Sequence, residues 1–590
     1  MKKMKIQSEK IMNFFKKMHL FIKTNYGVCL ISVFLLLLFL VNRNLFIINP
    51  YAETIDPWLY TGYFINFESY YQTFGILYYG TRLSWIIPGY ILYTIFPVLT
   101  ANYVLHFGFF SAAVLSLYYI LKQTISDRVA VFTALLFAGY VYFLIEIGWD
   151  YISGAVITFF LLTVLFLTLS AQSRYWKYHL FLVGIFCISM IYANLFTIIF
   201  IPTLLAFLFF IYLNRNKTLI IPRLFYFILG IFVGSATMEL FAYWLTRKTL
   251  IILGQVNTAT YYSNIPNPWW IPVENWILNA SWLLLPLIIV VGCILFLTYQ
   301  QFNIRNKNIY SYNLFFILNF LVTVLIFVGF HIRGNPVFQV SYYACYLIPP
   351  MFLAIGAICS GILDSLTSRR FYFILCGEVF LLLLPYTPIN TFLKLGIIQS
   401  GTTLFFLIFV VCWIIFLFCS IISPKIQISR ISMLIILLAV ISMSLFNGVL
   451  YSSPDPNYPD DYENGFVSVI DSVKKINSET NGQNVRFWYN ANESGENGHY
   501  GGIFNNINAM YLWEYTFIGR DFPRIDKKNI DPILKSPATT QIVILSTQND
   551  AFLSANKTLN DLGYRASFLS EKRMKTGNIN FNMTFIKIEQ

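Results

Sequence analysis

Residues 26 to 48 read YGVCLISVFLLLLFLVNRNLFII, with no charged residue before Arg43. A bilayer core of roughly 30 Å takes about 20 apolar residues of helix, so this run predicts a membrane span. It passes into Asn42 and Arg43 without a small-residue cleavage site, so the sequence predicts a retained helix rather than a cleaved signal. Upstream stand Lys2, Lys3, Lys5, Lys10, Lys16, Lys17 and Lys23. Lysines flanking a first span mark the cytoplasmic side, which makes 1–25 a basic cytoplasmic N-terminus.

Comparable apolar runs recur downstream. Hydrophobic residues make up 57% of the 590-residue chain and charged ones 11%, and the mean hydropathy is +0.64, a balance that excludes an ordinary soluble core. Hydropathy places about 13 spans, near 26–48, 98–121, 129–147, 153–171, 179–193, 195–213, 224–246, 276–299, 311–330, 345–363, 371–388, 403–422 and 431–451. The fifth and sixth share one long run split at Asn194. Many aromatic residues fall at the ends of such runs, at headgroup level.

The net charge of +13 does not indicate nucleic acid, because the basic residues fall in short clusters between apolar runs rather than on one face. Every second loop is basic: Lys122 and Arg128; Arg174 and Lys177; Arg215, Lys217 and Arg223; Arg305 and Lys307; Arg369 and Arg370; Lys425 and Arg430. Those loops face the cytoplasm, and an odd span count puts the C-terminus outside. The cysteines, Cys29, Cys187, Cys293, Cys345, Cys359, Cys376, Cys412 and Cys419, lie in or beside apolar segments and read as packing residues.

Three outside segments exceed what a connection needs: 49–100, 247–275 and everything after Tyr451. The last opens SSPDPNYPDDYENG from Ser452, a linker of turn formers. Beyond it Phe466, Ile470, Val473 and Ile476 share a helical face. Val485 to Tyr489 and Gln541 to Leu545 read as strands, Ala551 to Leu562 as a helix and Met583 to Ile588 as a closing strand. The fold class is therefore mainly α: a polytopic α-helical membrane domain over 26–451, then a small extracytoplasmic α/β domain over 452–590.

The first outside segment reads NPYAETIDPWLYTGYFINFESYYQTFGILYYGTRLSWIIPGYILYTIFP. Glu53 and Asp56 stand just beyond the first membrane exit. They fit a divalent cation, or a base acting on a hydroxyl, or simply solvated acids with Asp56 capping a helix that begins at Pro57. Arg82, embedded among aromatic and aliphatic residues, suits a lipid phosphate or an arginine snorkelling to headgroups. The turn FLIEIGWDYISG brings Glu146 and Asp150 to membrane depth, where charge is costly. HIRGNPVFQVSYYACYLIPP carries His331 and Arg333 ahead of the helix-breaking pair Pro349 and Pro350. Glu239 and Glu378 are intramembrane acids, each a candidate for function or for a polar neighbour. There is no GxxxxGK[ST] or GxGxxG loop, and no cytoplasmic loop long enough for a nucleotide-binding domain.

A carboxylate just after the first span, Tyr60, and YYGTRLSWIIPGYIL before the second span resemble the multi-spanning GT-C glycosyltransferases. The likeness is to the protein mannosyltransferase and aminoarabinose transferase-like group in particular. Asp150, the HIRGNP to LIPP stretch, the span count and the outside C-terminal domain fit as well. Here Thr54 and Ile55 separate the first-loop acids, and Ser341 and Tyr342 stand where an Arg-Tyr pair is frequent.

The resemblance implies sugar transfer from a polyprenyl-phosphate donor to a glycan, lipid or protein acceptor at the outer face of the cytoplasmic membrane, with inversion. Asp56 takes the catalytic position, with Asp150 and Glu53 as accessory acids. Arg82 and Arg333 meet the donor phosphate, and Tyr60, Tyr79 and His331 contact substrate. No cofactor is required, although a divalent metal between Glu53 and Asp56 is compatible with the pattern. A transporter or flippase for a lipid-linked sugar would use the same residues to line a path, and would be expected to show inverted repeats. A polymerase of lipid-linked sugars would be expected to carry a dominant later outside loop.

Overall fold

The computed structural model describes residues 25–41, 46, 56–74, 79–148, 151–213, 220–248, 250–263, 281–303, 312–335, 337–339 and 341–383 of the apolar region. In the polar region it describes 471, 475, 478, 485–489, 541–546, 551–561, 563–576 and 579–589. The apolar runs form helices α1 (Tyr26–Val41), α2 (Asp56–Phe74), α3 (Leu83–Ile95), α4 (Val98–Thr124), α5 (Asp127–Ala138), α6 (Val141–Gly148), α7 (Ile152–Gln172) and α8 (Trp176–Ala193). They continue through α9 (Ile201–Leu213), α10 (Ile220–Thr246), α11 (Ile252–Ser263), α12 (Leu284–Asn303), α13 (Tyr312–Ile332), the single turn α14 (Ser341–Ala344), α15 (Ile348–Leu363) and α16 (Ser368–Leu383).

Among the described residues six helices are long and apolar enough to cross a membrane, and a seventh crossing forms if α5 and α6, bent by 62° at a short break, count as one. This architecture is that of a polytopic α-helical membrane protein. Each predicted span between 26 and 388 coincides with a helix, but several helices fall short of the expected length. α1 and α9 are too short by themselves, and α16 carries Arg369, Arg370 and Glu378. The predicted spans at 403–422 and 431–451, the face of Phe466, Ile470, Val473 and Ile476, and the linker from Ser452 lie outside the described residues.

Two departures have local causes. The run split at Asn194 changes winding there, because the Asn194 side chain accepts from Phe196 N at 3.1 Å and starts a 3-10 turn, Leu195–Phe200, ahead of α9. Pro349 and Pro350 do not break a helix. They occupy the first turn of α15, where missing N–H groups cost nothing, and the 3-10 turn Cys345–Leu347 leads into them. The span they share with α14 is 94% buried, which makes it the centre of the bundle.

Helices α8 and α10 meet backbone to backbone. A Cβ on Gly184 would stand 2.1 Å from the Phe227 carbonyl oxygen, and one on Gly230 would stand 2.0 Å from that of Phe181. Gly234 follows Gly230 by one turn and packs on Ile188, so α10 presents a small-residue stripe to α8. Gly184→Val is expected to destabilise the bundle by about 1–3 kcal/mol or more, since backbone cannot yield as a side chain does. Recovery of monodisperse protein after detergent extraction checks this, and wild-type recovery would contradict it.

One end of the bundle carries the basic turns. Lys122 pairs with Asp127 at 2.9 Å, the Ser126 hydroxyl donates to Asp364 at 2.6 Å, and Arg128 donates to the Leu366 carbonyl. These bonds tie the turn after α4 to the turn after α15.

In the polar region four strands, β1 (Val485–Tyr489), β2 (Gln541–Ser546), β3 (Arg565–Thr576) and β4 (Ile579–Glu589), form one sheet in the order β1-β2-β4-β3. β1 runs parallel to β2, and the other pairs are antiparallel. Helix α17 (Ala551–Asp561) lays Ala555 and Leu559 on Ile544 and Ile586. Gly563, at φ +86°, closes α17, with Tyr564 N donating to Leu559 O and Gly563 N to Asn560 O. The predicted strands and helix are present, and β3 is an addition. Its sequence RASFLSEKRMKT has no clean alternation, and a bulge between Phe568 and Ser570 shifts its register.

Candidate functional site

The segment YYGTRLSW folds as a 3-10 turn, Tyr79–Thr81, with Arg82 between that turn and α3. The Arg82 N–H donates to the Tyr79 carbonyl at 3.2 Å, and the Arg82 carbonyl accepts from Trp85 N and Ile86 N at 3.0 and 3.1 Å. Two side chains anchor the start of α3. Ser84 donates to the Ser189 carbonyl at 2.6 Å. Trp85 is buried against Phe64, His106 and Phe109 at centroid distances of 5.5, 5.7 and 5.4 Å.

Held this way, the Arg82 side chain is 0% exposed. It donates to the Tyr60 hydroxyl, and its guanidinium stands 5.8 Å from the Tyr60 ring centroid and 5.4 Å from that of Tyr151. Tyr60 comes from α2 and Tyr151 immediately precedes α7. Tyr79 meets Tyr60 edge-on at 5.7 Å, and Tyr60 meets Tyr151 in the same way at 5.8 Å. The wall continues through Tyr342, 5.2 Å from Tyr151, and Tyr343, 4.7 Å from Tyr342. Asn194 reaches the same wall by donating to the Tyr346 hydroxyl at 2.8 Å. A buried guanidinium stays charged, and tyrosines give it ring faces and phenol oxygens together.

Tyr151 at the start of α7 and Asn194 at the end of α8 stand a helix length from the basic turns, where Gln172 at the other end of α7 donates to the Gln123 carbonyl. Nearby, a cavity of about 460 Å³ is lined by Glu68, Tyr71, Trp244, Leu245, Thr246 and Arg247.

Of the residues singled out in the sequence, the structure brings Arg82, Tyr60 and Tyr79 together. Asp56 opens α2, one turn before Tyr60. Its side chain, like Glu53 and Asp150, lies outside the described residues. Arg333 is exposed in the turn after α13, where Gly334 has φ +88°. His331 is buried on Phe338 at a centroid distance of 5.6 Å. No protein-family model matches this chain. No curated protein matches it either. Among solved structures it is similar to ArnT from Cupriavidus metallidurans bound to undecaprenyl phosphate, at 12% identity and a TM-score of 0.42, covering 94% of this chain and 97% of that one.

Sequence reasoning missed Tyr151 as a partner of the arginine, and Tyr342, Tyr343 and Asn194 as parts of the wall that continues from it. Tyr151 adjoins Asp150, and the two later tyrosines stand in SYYACY, so the available signal was proximity to stretches already marked. The intramembrane acid Glu239 has a clear structural role. It accepts from the Tyr192 hydroxyl at 2.9 Å and from the backbone N–H groups of Ile251 and Ile252 at 3.0 and 3.2 Å, capping the start of α11. Glu378 is 2% exposed on α16, with no hydrogen bond to either carboxyl oxygen. Among the described residues no three His, Cys, Asp or Glu side chains gather as a metal site.

Proposed function

We propose that the protein transfers a sugar from a polyprenyl-phosphate donor to a glycan, lipid or protein acceptor at the outer face of the cytoplasmic membrane. The observation that carries this reading is the fully buried Arg82 inside a tyrosine cage, at the end of the bundle away from the basic turns. A guanidinium presents a planar fork of donors that fits phosphate oxygens, and out of water each such bond is stronger.

In this mechanism the acceptor hydroxyl attacks the anomeric carbon from the face opposite the phosphate. The bond from that carbon to the phosphate oxygen breaks, its electron pair stays on the departing polyprenyl phosphate, and the hydroxyl proton passes to Asp56. One displacement inverts the anomeric centre. Arg82 stabilises the charge gathering on the leaving oxygen. Asp150 adjoins Tyr151 in the chain and serves as the second acid, with Glu53 beside Asp56 as a further one. Tyr60 and Tyr79 present ring faces to the sugar, while His331 assists from the last turn of α13 and Arg333 from the turn after it. A divalent ion would be held by Glu53 and Asp56, whose oxygens suit a hard cation. With the basic turns on the cytoplasmic side, an odd number of spans puts the C-terminal sheet on the same outer side.

The test is incubation of the detergent-purified full chain with a panel of polyprenyl-phosphate sugars and an envelope acceptor fraction. The expected result is donor consumption matched by free polyprenyl phosphate and labelled acceptor. Donor that crosses a proteoliposome bilayer chemically intact would replace the transferase reading with a transporter.

A further inference from the structure

The second long outside segment contributes helix α11, whose Gln255 is 2% exposed and makes three hydrogen bonds to other elements, through both amide hydrogens and the amide oxygen. Its Nε2 donates to the Thr81 carbonyl at 3.2 Å and to the Tyr192 carbonyl at 2.8 Å. Its Oε1 accepts from Leu195 N at 3.1 Å. The helix that carries it is itself pinned at its start, where Glu239 of α10 takes the N–H groups of Ile251 and Ile252.

The bond to Thr81 falls at a decisive place. The Thr81 carbonyl and the Arg82 N–H belong to one planar peptide unit. Gln255 holds the oxygen of that unit and the Tyr79 carbonyl holds its N–H, so the plane is held at both edges. The direction in which the Arg82 side chain leaves the backbone follows from that plane together with the next one, whose Arg82 carbonyl is held by Trp85 N and Ile86 N. We propose that Gln255 is a positioning residue for Arg82, and that α11 is a strap fixing the arginine's peptide plane so that the guanidinium stays in its cage between Tyr60 and Tyr151. The functional half of this proposal rests on Arg82 holding the donor phosphate.

Only an amide side chain serves here. Glutamate keeps the length and the acceptor for Leu195 but loses both donors, and methionine keeps the volume but loses all three bonds. Two measurements test the proposal on the full-length purified protein. In Gln255→Met, hydrogen exchange in a peptide covering residues 79–86 is expected to rise about tenfold, with α4 unchanged. In the transfer assay, kcat is expected to fall about tenfold or more with the acceptor KM unchanged, because misaimed charge is lost mainly in the transition state.

In an Arg82→Ala background, Gln255→Met is expected to cause no further loss. If Gln255→Met cannot be extracted as folded protein, Gln255→Glu carries the same measurements. Unchanged exchange at 79–86 would overturn the strap. Losses from Gln255→Met and Arg82→Ala that simply add would overturn its action through Arg82. Full transfer in Arg82→Ala itself would instead remove the phosphate reading, so the two failures are distinguishable.

Discussion

Arg82→Ala is expected to lower the rate of sugar transfer by on the order of 10²–10³-fold, the loss seen when one preorganised donor to a developing anion is removed. Arg82→Lys is expected to restore only a small part of it. The lysine keeps the charge but not the planar fork of donors that the guanidinium sets beside the Tyr60 hydroxyl and the Tyr60 and Tyr151 rings. Initial rates at saturating donor, normalised to folded protein, check both variants. Equal rates for arginine, lysine and alanine would make Arg82 a packing residue.

Asp56→Asn is expected to reduce transfer by about 10²–10⁴-fold while leaving membrane insertion and yield intact, the range for loss of a positioned base. The substitution preserves the size and hydrogen-bonding shape of the first residue of α2, so the helix start is retained. The loss should therefore appear in kcat rather than in recovery of the protein. Full activity in this variant would pass the role of base to another acid, with Asp150 next in line through its place beside Tyr151.

These two residues also mark how far the sequence could be read. The apolar run beginning at Tyr26 and its counterparts located the helices, because hydrocarbon leaves a chain few other ways to satisfy its backbone. Arg82 stood out as a cation in an apolar setting, and that signal is local. Its cage is not local. Tyr151 precedes α7 and Tyr342 lies in α14, and the chain of contacts from Tyr60 through Tyr151 to Tyr342 depends on helix packing that no short-range pattern encodes.

The segment from 49 to 100 read as a loop, yet it folds as α2 and α3 around the Arg82 turn. Residues 83 to 95 make an apolar helix with Pro88 inside, too short to count as a span. Gln255 was illegible for a different reason. A glutamine in a polar stretch carries no mark of burial until the chain shows three backbone groups meeting it. The close approach of α8 and α10 was written in the sequence as Gly230, Gly234 and Gly184, but its meaning depended on knowing which helices are neighbours.

The central claim is that the carrier phosphate binds at Arg82, and equilibrium binding tests it most directly. Purified wild-type and Arg82→Ala proteins would be titrated with a polyprenyl phosphate and with the uncharged polyprenol of the same length. The wild type is expected to prefer the phosphate by on the order of tenfold or more, as a charge-assisted bond requires, and Arg82→Ala is expected to lose this preference. Equal affinity for phosphate and alcohol in the wild type, or a preference that survives in Arg82→Ala, would contradict it.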